Sequence, residues 1–221
     1  MIIKGIIFDF DGLICDTETP EVRAWEALFF EYGFTFPFER YQETIGAIHN
    51  DDSPFVFLEE LLGHPVDRCE VKEGFLNFRN KLIAAEPMRP GILNYLNEAR
   101  IEGLQIGLAS SSPRSWIDYH LSRFGIVDYF GCIKTCNDVS KTKPDPELYI
   151  KSLKCMQLHG QEVIALEDSP NGVTAAKYAG IYVAAFPNEV TRIFEFNNAD
   201  LVINSLEKMP LKELLRLFSN L

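Results

Sequence analysis

An α/β protein with a parallel sheet covered by helices on both faces, and an all-helical insertion early in the chain, is the fold this sequence predicts. Three observations carry it. Short apolar runs recur between residues 104 and 203 and alternate with segments of helical period, the pattern of a parallel sheet buried on both faces. One further apolar run opens the chain at residues 2–7. Between that opening run and the next, residues 16–86 carry helical periodicity and no strand pattern.

Ile2-Ile3-Lys4-Gly5-Ile6-Ile7 reads as a short buried strand, and it runs into Phe8-Asp9-Phe10-Asp11-Gly12. A helix is expected over 18–32, with Val22, Trp25, Phe29 and Tyr32 on one stripe and Gly33 closing it. A short helix follows over 37–45, ended by Gly46. Ser53-Pro54 starts another, with Phe55, Leu58 and Leu62 facing inward, and a longer one carries Val71, Phe75, Phe78 and Leu82. From Pro87 the texture changes. Pro90-Gly91 opens a helix with Ile92, Leu96 and Ala99 on one side, and the strand 104–109 follows. Then come a helix to Phe124, a strand over Gly131–Cys136, a helix from Asp145-Pro146, the core strand 163–166 and a helix to Ala179. The strand 181–186, a short strand near 201–203 and a leucine-rich helix from Leu211 complete the chain.

Spacing separates core from insertion. Ser110 to Lys143 and Lys143 to Asp168 each span about one βαβ unit of ~30 residues, whereas Asp11 to Ser110 spans about three times that. The sequence therefore predicts a Rossmann-like three-layer core at residues 1–15 and 87–221, with a helical cap at 16–86. At 221 residues there is room for one full domain and a smaller one. A formal charge of −11 argues against electrostatic binding of nucleic acid or anionic membrane, which need a basic footprint. Five cysteines, at 15, 69, 132, 136 and 155, with no second pair to complete a zinc site, are expected as reduced thiols. Met1 leads straight into a strand without a basic leader, and no apolar run reaches membrane-spanning length, so a cytoplasmic location is expected. No oligomer signal is present; a monomer or weak oligomer is the expectation.

Ligands of open α/β sheets bind beyond the carboxyl ends of the strands. The residues that follow the core strands are Asp9 and Asp11, then Ser110 and Ser111, then Lys143 in its loop, then Glu167 and Asp168. In extended chain, residues i and i+2 point the same way, so Asp9 and Asp11 are placed toward one volume. Alone, that pair is either a solvated acidic turn or a site for a hard divalent cation. Ser110 alone is a turn hydroxyl, Lys143 a loop lysine, and Glu167-Asp168 a polar helix start. Together they place acids, a cation and donors at one edge, as a phosphoryl group requires. Ser112-Pro113, Asp145-Pro146 and Ser169-Pro170 each read as a helix start at that edge, offering the positive end of a helix dipole.

Asp9-Phe10-Asp11-Gly12 with Asp16-Thr17-Glu18, Ala109-Ser110-Ser111, Lys143-Pro144-Asp145-Pro146 and Leu166-Glu167-Asp168-Ser169-Pro170-Asn171-Gly172 resemble the four motifs of the haloacid dehalogenase superfamily. More narrowly they resemble its β-phosphoglucomutase-like branch. The resemblance implies that Asp9 is a nucleophile forming an aspartyl-phosphate and Asp11 a general acid and base. It implies that Ser110, Ser111 and Lys143 hold the phosphoryl group. It places magnesium (Mg2+) on Asp9, the backbone carbonyl of Asp11, and Asp168, with Glu167 either a direct ligand or a partner through water.

The branch holds both phosphatases and sugar-phosphate mutases. Where the mutases carry a cap histidine this chain has Glu21, and the nearest equivalent of their cap arginine is His49. Both departures point to hydrolysis of a small phosphorylated metabolite, with Glu21, His49, Asn50 and Arg79 as candidate cap contacts. A β-phosphoglucomutase-type mutase is the alternative, and a non-catalytic phospho-ligand binding paralogue a more remote one. A metal-free haloacid dehalogenase is disfavoured by Asp11. A response-regulator receiver domain is disfavoured by the helical insertion.

Overall fold

The computed structural model describes residues 2–42 and 53–219. Two compact units are present, Asp16–Pro87 on one hand and Met1–Cys15 with Met88–Leu221 on the other.

The first unit is helical: α1 (Glu18–Glu31), α2 (Phe38–Gln42), α3 (Ser53–Leu62) and α4 (Arg68–Ala85). Trp25 of α1 is its centre. The indole stacks on Phe75 of α4 at 4.0 Å between centroids and meets Phe55 of α3 edge-on at 5.3 Å. Asp67 caps α4, its carboxylate accepting from the N–H groups of Cys69 and Glu70. Four residues expected on the inward stripes lie elsewhere. Phe78 and Tyr32 are exposed and Leu62 and Leu82 are half-buried, while Phe57 and Ile83 are buried instead. On α4 the buried residues are Val71, Phe75 and Ile83. The expected end of the second helix at Gly46, and His49 and Asn50, fall outside the described residues.

The second unit is a doubly wound sheet. Its strands are β1 (Gly5–Phe8), β2 (Gln105–Ala109), β3 (Cys132–Lys134), β4 (Val163–Glu167), β5 (Tyr182–Ala185) and β6 (Leu201–Val202), in the order β3-β2-β1-β4-β5-β6. Every pairing is parallel. The connecting helices are α5 (Ile92–Ile101), α6 (Arg114–Phe124), α7 (Glu147–Met156), α8 (Pro170–Tyr178) and α9 (Leu211–Phe218). Ile7, Ala165 and Val183 share one core cluster with Leu148 and Tyr149 of α7 and Val173 and Ala176 of α8. Ile6, Phe8, Ile164 and Leu166 alternate with them along the strands and are equally buried, so each strand is apolar on both faces. In α9, Leu211, Leu214 and Phe218 are buried at helical spacing.

The strand order reverses between β1 and β4, where a doubly wound sheet opens its binding crevice. Phe8 pairs with Leu166, and the Asp9 N–H donates to the Leu166 carbonyl at 3.0 Å. The last residue of β4 thus lies beside the first residue past β1. One expected strand is shorter than its sequence suggests: Cys136 belongs to a 3-10 turn, not to β3. The expectation of five thiols is also corrected. Cys132 of β3 and Cys155 of α7 form a disulfide, because this helix packs on this strand and sets their Cα atoms 6.2 Å apart. Cys15, Cys69 and Cys136 take no part in a disulfide. Among the described residues, no helix is long and apolar enough to cross a membrane.

Candidate active site

Asp9 stands at the carboxyl end of β1 and is buried. Lys143, from the loop between β3 and α7, reaches it at 2.5 Å and reaches Glu167 at 2.6 Å, making a buried carboxylate–ammonium–carboxylate bridge across the switch point. Asp168 completes the group: one carboxylate oxygen from each of Asp9, Glu167 and Asp168 lies within 4.8 Å of the others. Burial pushes the Asp9 carboxyl up to about 7, with Glu167 and Asp11 adding to the rise and Lys143 opposing it. Burial works against the Lys143 ammonium, yet the two carboxylates outweigh it and hold its pKa above the ordinary lysine value.

The residues around this group fix its shape. The Tyr149 hydroxyl donates to Glu167 Oε1, the oxygen that also takes Lys143. Burial and the neighbouring Glu167 charge raise the Tyr149 pKa, so the phenol stays a donor. The Asn188 amide donates to Asp168 Oδ2 at 2.8 Å. Gly12 has φ +76°, and a Cβ there would lie 2.0 Å from Asp168 Oδ2, so both backbone and neighbour demand glycine. At Gly172, a Cβ would lie 1.8 Å from Glu167 Oε2. Arg89 donates to the Gly12 carbonyl and ties down the turn that follows the two acids.

Three buried carboxylates are grouped around one lysine that pairs with only two of them, Asp9 and Glu167, and Glu167 Oε2 is buried without a hydrogen-bond partner. Buried charge without a counter-charge is costly. Clustered hard oxygen donors with an uncompensated negative charge fit a small divalent cation. Asp9, Glu167 and Asp168 are the residues that could hold one.

Asp11 takes a different set of partners. Its Oδ2 accepts from Ser112 Oγ at 2.6 Å and Ser110 Oγ at 3.3 Å, and its Oδ1 accepts from the Trp116 indole N–H at 3.0 Å. The Asp11 charge still reaches Asp9 and adds to the rise of its carboxyl, so the two acids are near one another while holding different partners. Asp11 is bridged to Cys15 across the turn that follows the two acids. The Asp11 carboxylate lies outside the three-carboxylate group.

Of the remaining predicted residues, Ser110 is buried and accepts the Ser112 N–H, while the neighbouring Ser111 is exposed. Of the three expected helix starts, Ser169 caps α8 by accepting the Gly172 N–H, and Asp145 accepts the Glu147 N–H. Ser112 turns to Asp11 instead and does not cap α6. In the helical unit Glu21 and Arg79 meet each other, at 3.5 Å, and Glu21 also accepts from the Tyr41 hydroxyl at 3.0 Å. Reading the sequence missed Trp116, Tyr149, Asn188 and Arg89, and took Ser112 for a helix start only. Asn188 was findable, because it follows β5 at the same sheet edge that supplied the others.

A doubly wound sheet with an acidic, lysine-bridged centre at its switch point defines an α/β enzyme of the phosphoryl-transfer kind. The chain belongs to the haloacid dehalogenase-like hydrolases, whose family model matches residues 6–186. It is 40% identical over 213 residues to a protein of Bacillus subtilis (strain 168) named "Putative phosphatase YhcW", covering 96% of each chain. It is 27% identical to "Beta-phosphoglucomutase" of the same organism, over 95% of this chain and 93% of that one. The crystal structure of a CbbY mutant from Rhodobacter sphaeroides in complex with xylulose-(1,5)bisphosphate matches with a TM-score of 0.73 at 26% identity, covering 94% of this chain and 96% of that one. The class of activity is that of a phosphatase.

Proposed function

We propose that this protein is a Mg2+-dependent hydrolase of small phosphomonoesters, sugar phosphates foremost, acting through a phosphoryl group carried on Asp9. The observation that supports it best is the placement of Asp9: buried at the switch point, 2.5 Å from Lys143 and grouped with Glu167 and Asp168. Sugar phosphates are favoured because two similar proteins are named for such substrates or crystallised with one.

Asp9 attacks phosphorus with a carboxylate oxygen, and the bond from phosphorus to the ester oxygen breaks. Asp11 gives its proton to that departing oxygen. Water then attacks the phosphoryl-aspartate, Asp11 takes a proton from the water, and phosphate leaves with Asp9 restored. Lys143 holds Asp9 in line and balances charge on the transferring group. Asp9, Glu167 and Asp168, with the Asp11 carbonyl, would hold Mg2+, which neutralises charge on the phosphoryl oxygens. Ser110 and Ser111 are read as phosphoryl donors. The helical insertion at 16–86 is read as a cap whose Glu21, His49, Asn50 and Arg79 contribute to substrate choice.

Phosphate release from a panel of sugar phosphates, with Mg2+ and then with excess EDTA, tests the proposal. Release is expected with Mg2+, is lost on chelation, and falls by about three orders of magnitude or more in Asp9→Asn. Undiminished release in that variant would remove Asp9 as nucleophile. Interconversion of sugar phosphates after a trace of bisphosphate, with little free phosphate, would instead establish the mutase reading.

A further inference from the structure

The three donors on Asp11 are not equivalent. Ser110 and Ser112 carry hydroxyls that rotate and both donate and accept, so each can bond a carboxylate or a carboxylic acid. The indole N–H of Trp116 only donates, and its direction is fixed by the ring. It bonds a carboxyl oxygen that bears no proton more strongly than one that does, because the protonated oxygen is the weaker acceptor. The ring is held in turn. Trp116 lies in the first turn of α6 and packs on His120 at 4.3 Å between centroids, and buried His120 packs on Phe10 at 5.7 Å. Phe10 is the residue between Asp9 and Asp11, so the contacts close a loop from the backbone of the acids, through α6, back to Asp11 Oδ1.

We propose that Trp116 is a positioning residue for Asp11: it keeps Oδ1 an acceptor and leaves Oδ2, beside Ser110 and Ser112, as the oxygen that exchanges a proton with the leaving group and with water. The inference rests on the assignment of Asp11 as general acid and base made above. Without the N–H, only the two rotatable serine hydroxyls hold the carboxyl group and nothing distinguishes its two oxygens as rigidly, so the proton is delivered from the wrong oxygen for part of the time. The cost falls on substrates whose departing oxygen needs a proton. An alkyl or sugar alcohol is such a leaving group; p-nitrophenolate is not, because it departs readily as the anion.

The experiment compares kcat/KM, which reports formation of the phosphoryl-enzyme, for glucose 6-phosphate or another hydrolysed sugar phosphate and for p-nitrophenyl phosphate. In Trp116→Phe the sugar phosphate value is expected to fall by about tenfold or more, and the p-nitrophenyl phosphate value by less than about threefold. Asp11→Asn is expected to show the same contrast more deeply, and adding Trp116→Phe to it to change the ratio no further. Equal losses on both substrates, no loss on either, or full additivity with Asp11→Asn would overturn the inference. If Trp116→Phe does not fold, site-specific 3-benzothienylalanine at 116 keeps the bicyclic shape and removes only the N–H; the same outcomes apply. Loss of all hydrolysis in Asp9→Asn, together with equal losses in Trp116→Phe, would leave the general reading standing and this one refuted. Hydrolysis surviving in Asp9→Asn would overturn the reading of the site itself.

Discussion

At the scale of single residues, the site is a set of charges each given one place. Lys143 is shared between Asp9 and Glu167, Asn188 holds Asp168, and Asp11 has a separate pocket of donors. His120, behind that pocket, is almost fully buried, and neither ring nitrogen has a hydrogen-bond partner. Burial, with the nearby Arg123 charge, pushes its pKa down from 6.5 to about 4. The unfolded chain therefore takes up a proton near pH 6.5 that the folded chain refuses until about pH 4, so stability contributed here is present above 6.5 and lost as pH falls toward 4. Urea unfolding at pH 7 and pH 4.5 should show His120→Leu losing about 2 kcal/mol less than the parent between those two values. Equal losses would show that His120 is not the group that titrates. None of this was readable in the sequence, where His120 is one of the chain's four histidines and sits on an ordinary amphipathic helix. Trp116 and Ser112 were hidden for a related reason: which way they point is decided by how α6 leaves β2, not by their spacing.

At the scale of elements, each of the six strands was visible as an apolar run, and the residues at their carboxyl ends identified most of the site. Parallel sheets are legible in this way because strands buried on both faces admit little else but apolar side chains. Helices were harder. Phe78 was expected inside from its helical spacing to Val71 and Phe75, but it is exposed, while Ile83 near the end of α4 is buried; helical period alone does not account for that choice, which tertiary packing makes. The packing of the helical unit nonetheless converges on one side chain. Trp25 is 3% exposed and touches Phe55 and Phe75 from two other helices. Trp25→Ala is expected to destabilise that unit by about 3–5 kcal/mol. Near-ultraviolet circular dichroism and chemical unfolding would report it, and a change below about 1 kcal/mol would mean that the three-helix contact is not what holds the unit together.

At the scale of the whole molecule, fold, charge and family point to one kind of chemistry. A net charge of −11 on the chain and a cluster of buried carboxylates would repel a phosphate ester. On the proposed function, Lys143 and a divalent cation held by those carboxylates would reverse that sign locally, where the phosphoryl group of a substrate would sit. The family match spans residues 6–186, which includes every motif residue from Asp9 to Gly172. The cap-side candidates stayed least legible, because Glu21 and Arg79 are paired with each other and no motif fixes what such residues select. The measurement that tests the central claim most directly is rapid acid quenching of the enzyme during turnover with a sugar phosphate and Mg2+, followed by peptide mass analysis. The predicted result is one hydroxylamine-labile phosphoryl group on the peptide bearing Asp9, absent from Asp9→Asn and from enzyme quenched after EDTA. A phosphoryl group on any other residue, or full turnover by Asp9→Asn, would contradict it.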